Sequence, residues 1–208
     1  MEYHSSIRHD VIPLVPQCAS LLDVGGGTGA TARHLKEIGR ADRVSVMDAV
    51  VADHTDGLAS WSDADLDDPA AVAAFLDDAG PFDAILLLDV LEHLIDPWSA
   101  VDTFAKAVKP GGVMIASIPN IRHISTSVGL LLGNRWDYAD AGLLDRTHLR
   151  FFVRKTAIEL MDREGLTIEA VQPSPIGSGK HRLANAMTFG ALRSLFTLQY
   201  FVVARKTG

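Results

Sequence analysis

Short apolar runs alternate with longer stretches of helical character along this chain of 208 residues. Such alternation is typical of a mostly parallel sheet that is covered by helices on both faces. The pattern predicts strands at residues 20–24, 43–47, 61–64, 84–88, 113–118, 167–172 and 199–204. It predicts helices at residues 7–15, 29–38, 70–78, 97–107 and 155–164. We therefore expect a doubly wound α/β fold that forms a single domain over residues 1–208.

Two stretches interrupt this alternation. Residues 120–152 are rich in His, Arg, Trp and Gly and follow the carboxyl end of a central strand. Ligands bind at that end in open α/β sheets, and long loops there tend to carry function. We therefore predict a substrate-recognition insert at about 120–152, helical around 125–132. Residues 173–196 are expected to be irregular, and their apolar part, 186–196, could be core, a dimer surface or a membrane-surface helix.

Composition narrows the class of protein. A hydrophobic content of 48% suits one compact domain, and a net charge of −7 argues against a general phosphate-binding surface, so no nucleic-acid partner is expected. The single cysteine, Cys18, excludes an intramolecular disulfide framework and a Cys-rich zinc site. The longest apolar run, 84–88, is far shorter than the ~20 residues that span a bilayer. The start of the chain lacks a secretion signal, so we expect a cytoplasmic protein, with an oligomer possible.

A glycine-rich turn follows the first predicted strand. The sequence after Leu22 is an Asp-x-Gly-x-Gly-x-Gly motif, and the glycines let the backbone turn sharply and lie against a ligand. Asp23 adds a carboxylate that suits a ligand with a cationic end, such as the α-amino group of S-adenosylmethionine. A dinucleotide is the alternative, because Gly25-x-Gly27-x-x-Ala30 fits the relaxed fingerprint with an acidic residue about 20 positions on.

Acidic residues after the next two strands extend this pattern. Asp48 ends the second predicted strand, where a carboxylate can accept hydrogen bonds from both ribose hydroxyls. Its alternative role is to cap the following helix. Asp65, in the acidic loop 62–69, is placed to accept from an adenine amino group, with the backbone of Leu66 nearby. The alternative for this loop is a solvated turn.

The order of the motifs identifies a family resemblance. A buried strand, 82–88, runs into an acidic and imidazole-bearing segment, and a Pro-Gly-Gly turn follows at 110–112. Over residues 21–118 the chain thereby resembles the class I S-adenosylmethionine-dependent methyltransferases. The resemblance implies a Rossmann-like, seven-stranded sheet whose last strand is antiparallel, with S-adenosylmethionine as the cofactor. It implies cofactor contacts at Asp23, Gly25, Gly27, Asp48, Asp65, Leu66, Leu88 and Asp89.

The insert carries the candidate chemistry. The residues at 117–123, 133–138 and 142–152 look like those of a methyltransferase subgroup that often accompanies glycosyltransferases in bacterial surface-polysaccharide pathways. His148 is our candidate general base, because an imidazole that titrates near neutrality can deprotonate a hydroxyl. Its alternative role is to pair with Asp145 or a backbone carbonyl and hold the insert against the core.

A metal-assisted variant shares the same residues. Asp89-x-x-Glu92-His93 has the spacing of a Glu-x-x-Glu-His metal motif in ubiquinone-pathway and small-RNA 2′-O-methyltransferases, with Asp in place of the first Glu. With His148 as a fourth ligand, a divalent ion could orient a diol and lower the pKa of its hydroxyl. In the alternative, Glu92 and His93 cap the following helix. We assign no metal ligand from the sequence.

The expected function is S-adenosylmethionine-dependent O-methylation of a small-molecule or carbohydrate-like acceptor. One alternative is a domain that binds the cofactor without catalysis and regulates or scaffolds a partner enzyme. An NAD-binding oxidoreductase is the other, but it would need a hydride-transfer acid, and the chain contains no Tyr-x-x-x-Lys motif.

Overall fold

The computed structural model describes residues 6–49 and 55–208, so the start of the chain, where no secretion signal is predicted, lies outside the described residues. The strands are β1 Cys18–Val24, β2 Ala41–Met47, β3 Ser60–Ser62, β4 Phe82–Leu88, β5 Val108–Pro119, β6 Leu166–Pro173 and β7 Gln199–Lys206. The helices are α1 Ala30–Glu37, α2 Pro69–Ala79, α3 Pro97–Ala107, α4 Ile124–Gly133, α5 Arg154–Met161, α6 Gly179–Met187 and α7 Arg193–Phe196.

The strands form one seven-stranded sheet in the order β3-β2-β1-β4-β5-β7-β6. Neighbouring strands are parallel from β3 to β5, and β7 is antiparallel to both β5 and β6. The predicted α/β class with an antiparallel last strand is therefore confirmed. From β1 the chain proceeds outward to β2 and β3 and then returns to β4 on the other side of β1. The carboxyl ends of β1 and β4 thus form the switch point at which open α/β sheets bind ligands.

Apolar side chains bury the sheet on both faces. Because side chains alternate along a strand, Leu22 of β1 joins one apolar cluster and Leu21 joins the other. Helices α2, α3 and α5 cover the first face. Helix α1 covers the second, together with Val11 and Val15 from the segment before β1. The core therefore positions the strand ends rigidly and leaves the loops at their carboxyl edge to form a site.

The segment before β1 differs from the prediction. The helix predicted at 7–15 is wrong, since only the short 3-10 helix Ile12–Leu14 is present there. Pro16 disfavours a helical conformation at the residue before it, and Val15 is extended with ψ 117°. The segment instead packs Val11 and Val15 against one face of the sheet, and the side chain of Arg8 reaches Asp89 at the carboxyl end of β4.

Capping residues determine where the helices that follow the acidic loops begin. The Asp68 side chain accepts hydrogen bonds from the N–H groups of Ala70 and Ala71 at 3.0 and 3.2 Å, and Pro69 occupies the first turn of α2. Asp96 caps α3 in the same way. The predicted starts of α2 and α3 agree with the structure to within one residue, because the capping signals are local. Helix α5 ends at Met161, earlier than its predicted end at residue 164.

The two irregular stretches contain more helix than expected. Helix α4 confirms the helical part predicted within the insert, and residues 120 and 152 pair with each other, so the ends of the insert lie side by side. The expectation that 173–196 is irregular is wrong, because the stretch forms α6 and α7. Among the helices of the described residues, none combines the length and apolar character that a bilayer span requires.

The Pro-Gly-Gly sequence lies within β5 and forms a bulge. Phe82 pairs with Val108, but Ala84 pairs with Val113, so β5 holds extra residues between these two pairs. Gly111 has φ +80°, and Cβ at that position would face open space. At Gly112, by contrast, Cβ would lie 2.7 Å from the backbone oxygen of residue 83.

We expect the substitution Gly112→Ala to lower the free energy of unfolding by about 1–3 kcal/mol, because the new methyl group overpacks the sheet against backbone atoms. Gly111→Asn is the matched control, since it faces open space and Asn tolerates a left-handed conformation. Urea unfolding of both variants measures the difference. Equal losses of stability would contradict the close packing at Gly112.

Candidate active site

A cavity of about 900 Å³ lies at the carboxyl ends of the central strands. Loops after β1, β2, β3 and β4 line it, together with part of the insert. The sequence-predicted site residues in its lining are Gly25, Asp48, Asp65, Leu66, Leu88, Asp89 and His148. The fold therefore brings the candidate base to the same cavity as most of the predicted cofactor contacts. Asp23 and Gly27 are not among the lining residues.

Hydrogen bonds fasten the glycine turn to the end of β2. The N–H of Gly25 donates to the carbonyl oxygen of Met47 at 2.7 Å, and the N–H of Gly27 donates to Asp48 Oδ2 at 2.7 Å. Gly25 and Gly27 have φ +68° and +56°, a region that favours glycine. A Cβ on Gly25 would also collide with Cγ2 of Val90, so the turn packs against the loop after β4 as well.

Asp23 lies beneath the glycine turn. Its side chain is 1% exposed, and Oδ2 has no hydrogen-bond partner among the described residues. Burial, and then the charge of Asp48, raise the pKa of this carboxyl to about 7, while Arg8 opposes the shift. A Cβ on Gly26 would lie 2.8 Å from Oδ2. The site thus holds an orphaned acceptor that an ammonium group could satisfy, but only through a water molecule or an adjustment of the turn.

The acidic loop after β3 is held in place by its own aspartates. Asp65 Oδ1 accepts the N–H of Asp67 at 2.9 Å. Asp67 Oδ1 accepts the N–H of Ile95 at 2.9 Å, which connects this loop to the loop after β4. Asp65 and Leu66 are thereby held in the lining of the cavity.

Asp89 is engaged by two protein groups. It adopts φ +56° directly after β4, and its carboxylate accepts the hydroxyl of Ser117 at 2.7 Å. The guanidinium of Arg8 donates to the other carboxylate oxygen at 2.5 Å. Sequence reasoning missed Arg8, because a lone arginine in a segment without a motif carries no sign of its partner 81 positions along the chain.

Three groups that can bind metal converge where the insert meets the core. One ligand-type atom each from Glu92, His93 and His148 lies within 4.8 Å of the others. Glu92 is buried, and neither of its carboxylate oxygens has a hydrogen-bond partner among residues 6–49 and 55–208. Burial, followed by the charge of Asp89, raises the pKa of Glu92 well above its ordinary value. Asp89 itself is not one of the three, in contrast to the four-ligand variant considered from the sequence.

Both imidazoles have a defined hydrogen-bonding arrangement. His93 Nδ1 lies 3.2 Å from the carbonyl oxygen of Thr147, and His148 Nδ1 lies 3.3 Å from that of Leu143. A carbonyl oxygen only accepts, so each Nδ1 carries the proton and each Nε2 keeps its lone pair. Burial, and then His93, lower the pKa of His148, which favours a neutral imidazole at neutral pH. Such an imidazole can take up a proton or bind a metal ion.

Backbone hydrogen bonds attach the end of the insert to the loop after β4. The carbonyl oxygen of Glu92 accepts the N–H groups of Leu149 and Arg150 at 2.8 and 3.0 Å. Asp145 Oδ1 accepts both the N–H and the hydroxyl of Thr147, at 2.8 and 2.7 Å. His148 therefore contacts a backbone carbonyl, as its structural alternative predicts, and also lines the cavity, as its catalytic role requires.

The cavity lining is strongly acidic. Among the described residues that line it there is no lysine or arginine, and the carboxylate residues are Asp48, Asp65, Asp67, Asp89, Glu92, Asp140 and Asp145. Negative charge in a concave site attracts cations and repels anions. S-adenosylmethionine carries a cationic sulfonium and an α-amino group, so the carboxylates of the lining fit this cofactor.

Comparison with known proteins assigns the family. A family model described as a methyltransferase domain matches residues 3–171. The chain belongs to this methyltransferase family. The predicted class, an S-adenosylmethionine-dependent methyltransferase, is confirmed, and the match decides against the dinucleotide alternative.

Relatives and a solved structure are consistent with this assignment. The methyltransferase is 30% identical over 200 residues to the ubiquinone biosynthesis O-methyltransferase of Maricaulis maris, covering 89% of this chain and 71% of the relative. It is 34% identical over 105 residues to that of Caulobacter vibrioides, covering 49% of this chain but only 41% of the relative. An N-methyltransferase of Bradyrhizobium japonicum solved with S-adenosyl-L-homocysteine shares the fold, with a TM-score of 0.58, 18% identity and coverage of 97% and 86%.

The buried Asp23 makes stability depend on pH. In the unfolded chain its carboxyl ionises near 3.8 and in the folded protein near 7, so between these values only the folded protein retains the proton. We expect the free energy of unfolding without ligand to fall as pH rises from about 4 to 7, by on the order of 3 kcal/mol from this group. Glu92 contributes with the same sign.

Asp23→Asn should reduce this pH dependence, because the amide cannot ionise. Chemical unfolding at pH 5 and pH 8 measures it, with Asp63→Asn, at an exposed position outside the cavity lining, as the control. A slope that is unchanged in Asp23→Asn would contradict the raised pKa.

Proposed function

We propose that this methyltransferase transfers the methyl group of S-adenosylmethionine to the hydroxyl oxygen of a neutral small molecule. The observation that carries the proposal is the single cavity that Gly25, Asp48, Asp65 and His148 share. The bound cofactor supplies an activated methyl group, so the protein mainly has to position an acceptor and take its proton.

The cofactor contacts follow the arrangement of the loops. Asp48 is assigned to the ribose hydroxyls, because its carboxylate lies at the end of β2 beside the glycine turn. Asp65 and Leu66 are assigned to the adenine, and Leu88 and Asp89 to the same end of the cavity. The remaining contacts in this proposal are the backbone of the glycine turn at Gly25 and Gly27 and the buried carboxyl of Asp23.

Electrostatics restrict the acceptor. Asp89 is paired with Arg8, and the raised pKa of Glu92 favours its neutral form, but the other five carboxylate residues of the lining have no lysine or arginine beside them in that lining. Their charge disfavours phosphate-bearing acceptors such as sugar nucleotides. A neutral hydroxylated compound meets no such barrier. The names of the Maricaulis and Caulobacter relatives support oxygen as the methylated atom. A carbohydrate-like acceptor that carries no phosphate is also neutral and hydroxylated. Such an acceptor is compatible with the resemblance to methyltransferases of polysaccharide pathways.

His148 is our candidate for the group that takes the hydroxyl proton. Its Nδ1–H is used by the carbonyl of Leu143, so Nε2 is the basic nitrogen. Because its pKa is lowered, the imidazole is neutral and ready to accept a proton at neutral pH. The nearby imidazole of His93, at a centroid distance of 4.7 Å, contributes to keeping it neutral.

The convergence of Glu92, His93 and His148 supports a second candidate mechanism, in which these residues hold a divalent cation. The donors are one carboxylate and two imidazole nitrogens whose Nδ1 protons are engaged by backbone carbonyls, an arrangement typical of metal-binding histidines. A cation at this position would orient an oxygen-bearing acceptor and lower the pKa of its hydroxyl.

Asp48→Ala should weaken the binding of S-adenosylhomocysteine by about tenfold or more, since charged hydrogen bonds contribute roughly 1.5–3 kcal/mol. Asp48→Asn separates this effect from the turn, because the amide oxygen still accepts the N–H of Gly27. Asp63→Ala, at an exposed position, controls for the loss of one negative charge. Calorimetric titration measures all four proteins, and an unchanged dissociation constant in Asp48→Ala would remove Asp48 from the site.

His148→Gln should lower turnover on a panel of catechols, phenols and neutral sugars by on the order of 10²-fold or more, with the affinity for S-adenosylhomocysteine unchanged. His34→Gln, on α1, is the control. Transfer of a labelled methyl group provides the measurement. Normal turnover in His148→Gln would return His148 to a structural role, and binding of the cofactor without turnover by the unmodified protein would favour the non-catalytic scaffold.

Manganese titration separates the two mechanisms. If His148 acts alone as the base, chelators leave turnover intact and calorimetry detects no Mn²⁺ binding. If the three groups hold a cation, Mn²⁺ binds and stabilises the protein thermally, and Glu92→Gln abolishes both effects.

A further inference from the structure

Helices α4 and α6 and the loop after α6 expose an apolar surface, here called the lid surface. Its apolar side chains are Leu130, Leu131, Leu132, Leu183, Met187 and Phe189. Leu131 and Leu132 are 78% and 84% exposed, and Phe189 is fully exposed. Isolated apolar residues on a protein surface are ordinary, but five on two short helices, with Phe189 in the loop after one of them, indicate a binding surface.

The core does not account for these helices. Thr126 is the buried residue of α4, and α6 has none. Helix α4 contains no charged residue, and the exposure of the leucine side chains at its end to water is unfavourable. Helices as short as α4 and α6 depend on the packing of an apolar face for their stability.

Contacts at their amino-terminal ends bring these helices together. The rings of His123 and His181 lie 6.2 Å apart, and His181 stacks on Phe196 at 4.8 Å. Arg122 Nη1 donates to the hydroxyl of Ser194 at 2.9 Å. The lid surface therefore belongs to one unit of the fold, although its members are far apart in the sequence.

Charge is distributed unevenly between this unit and the rest of the protein. Residues 120–134 and 174–198 include Arg122, Lys180, Arg182 and Arg193 and no aspartate or glutamate, whereas the whole chain has a net charge of −7. All four basic side chains are exposed. Within these two segments the apolar residues are thus accompanied by positive charge alone, and directly after α4 the exposed Asp137 is paired with Arg135.

The unit that carries the lid surface adjoins the cavity. Pro119 directly precedes the first segment, Leu198 is the last residue of the second, and both line the cavity. Leu198 is itself 46% exposed. An apolar chain held at the lid surface would therefore reach the cavity by extending along the unit toward Pro119 and Leu198.

We propose that the lid surface docks on anionic lipid membranes. Basic side chains are attracted to anionic headgroups, while leucine, methionine and phenylalanine side chains insert at the boundary between headgroups and acyl chains. A second copy of the chain is the less favourable occupant, because a two-fold contact would place the same four cations against one another. If the proposed function holds, on which this step rests, the acceptor delivered from this surface is a hydroxylated molecule with an apolar tail.

Sedimentation with lipid vesicles tests the docking. The full chain should bind vesicles of phosphatidylcholine containing roughly a quarter phosphatidylglycerol at least about fivefold more tightly than vesicles of phosphatidylcholine alone. The double variant Leu131→Ser/Leu132→Ser should bind at least about tenfold more weakly. Ile38→Ser replaces an exposed apolar residue outside the lid surface and should bind normally. Lys180→Glu/Arg182→Glu should lose the preference for the anionic vesicles.

Two measurements make the result decisive. Unchanged thermal unfolding and unchanged affinity for S-adenosylhomocysteine would establish that the double variant is folded. The proposal would be overturned if the unmodified chain did not bind anionic vesicles. If, in that case, the chain formed a dimer that the double variant abolished, the lid surface would be a contact between two copies of the chain. Vesicle binding without turnover on any acceptor would support the docking surface while refuting the proposed function.

Discussion

The hydrogen bond from the Gly27 N–H to the Asp48 carboxylate is the contact on which the rest of the site depends. It joins the turn after β1 to the end of β2, the two elements that define one end of the cavity. It also keeps the negative charge of Asp48 close to the buried Asp23, where that charge helps to raise the pKa of the second carboxyl. The geometry of the turn and the electrostatics of the site are therefore consequences of one interaction.

The sequence was sufficient for the fold and for most of the cavity lining, because their signals are local. Apolar strands, alternate glycines and capping aspartates such as Asp68 each act within a few residues. Arg8 and the helices between β6 and β7 were not predictable in the same way. Arg8 matters through Asp89 on a distant strand, and α6 carries no buried residue whose spacing could have identified it. The helix predicted before β1 failed because proline preferences outweighed its apolar pattern.

The insert shows how structural and chemical roles can reside in the same residues. The carbonyl of Glu92 holds the insert, while its buried carboxyl faces His93 and His148. A buried carboxyl without partners is costly in a folded protein, so its presence among groups with free lone pairs indicates a functional arrangement rather than a stabilising one. Both candidate mechanisms use this arrangement. In one, Nε2 of His148 takes the proton of the acceptor hydroxyl; in the other, Glu92, His93 and His148 hold a divalent cation.

The attachment of the insert has a consequence for how this protein can change. Leu149 and Arg150 are fastened through their N–H groups, and Thr147 accepts from His93 through its carbonyl, so the anchor hardly depends on which side chains the insert carries. Mutations among the residues that face an acceptor can therefore accumulate without detaching the loop. The backbone of the insert anchors it to the core, while its side chains are left to contact the acceptor. New acceptor preferences can therefore evolve on an unaltered scaffold.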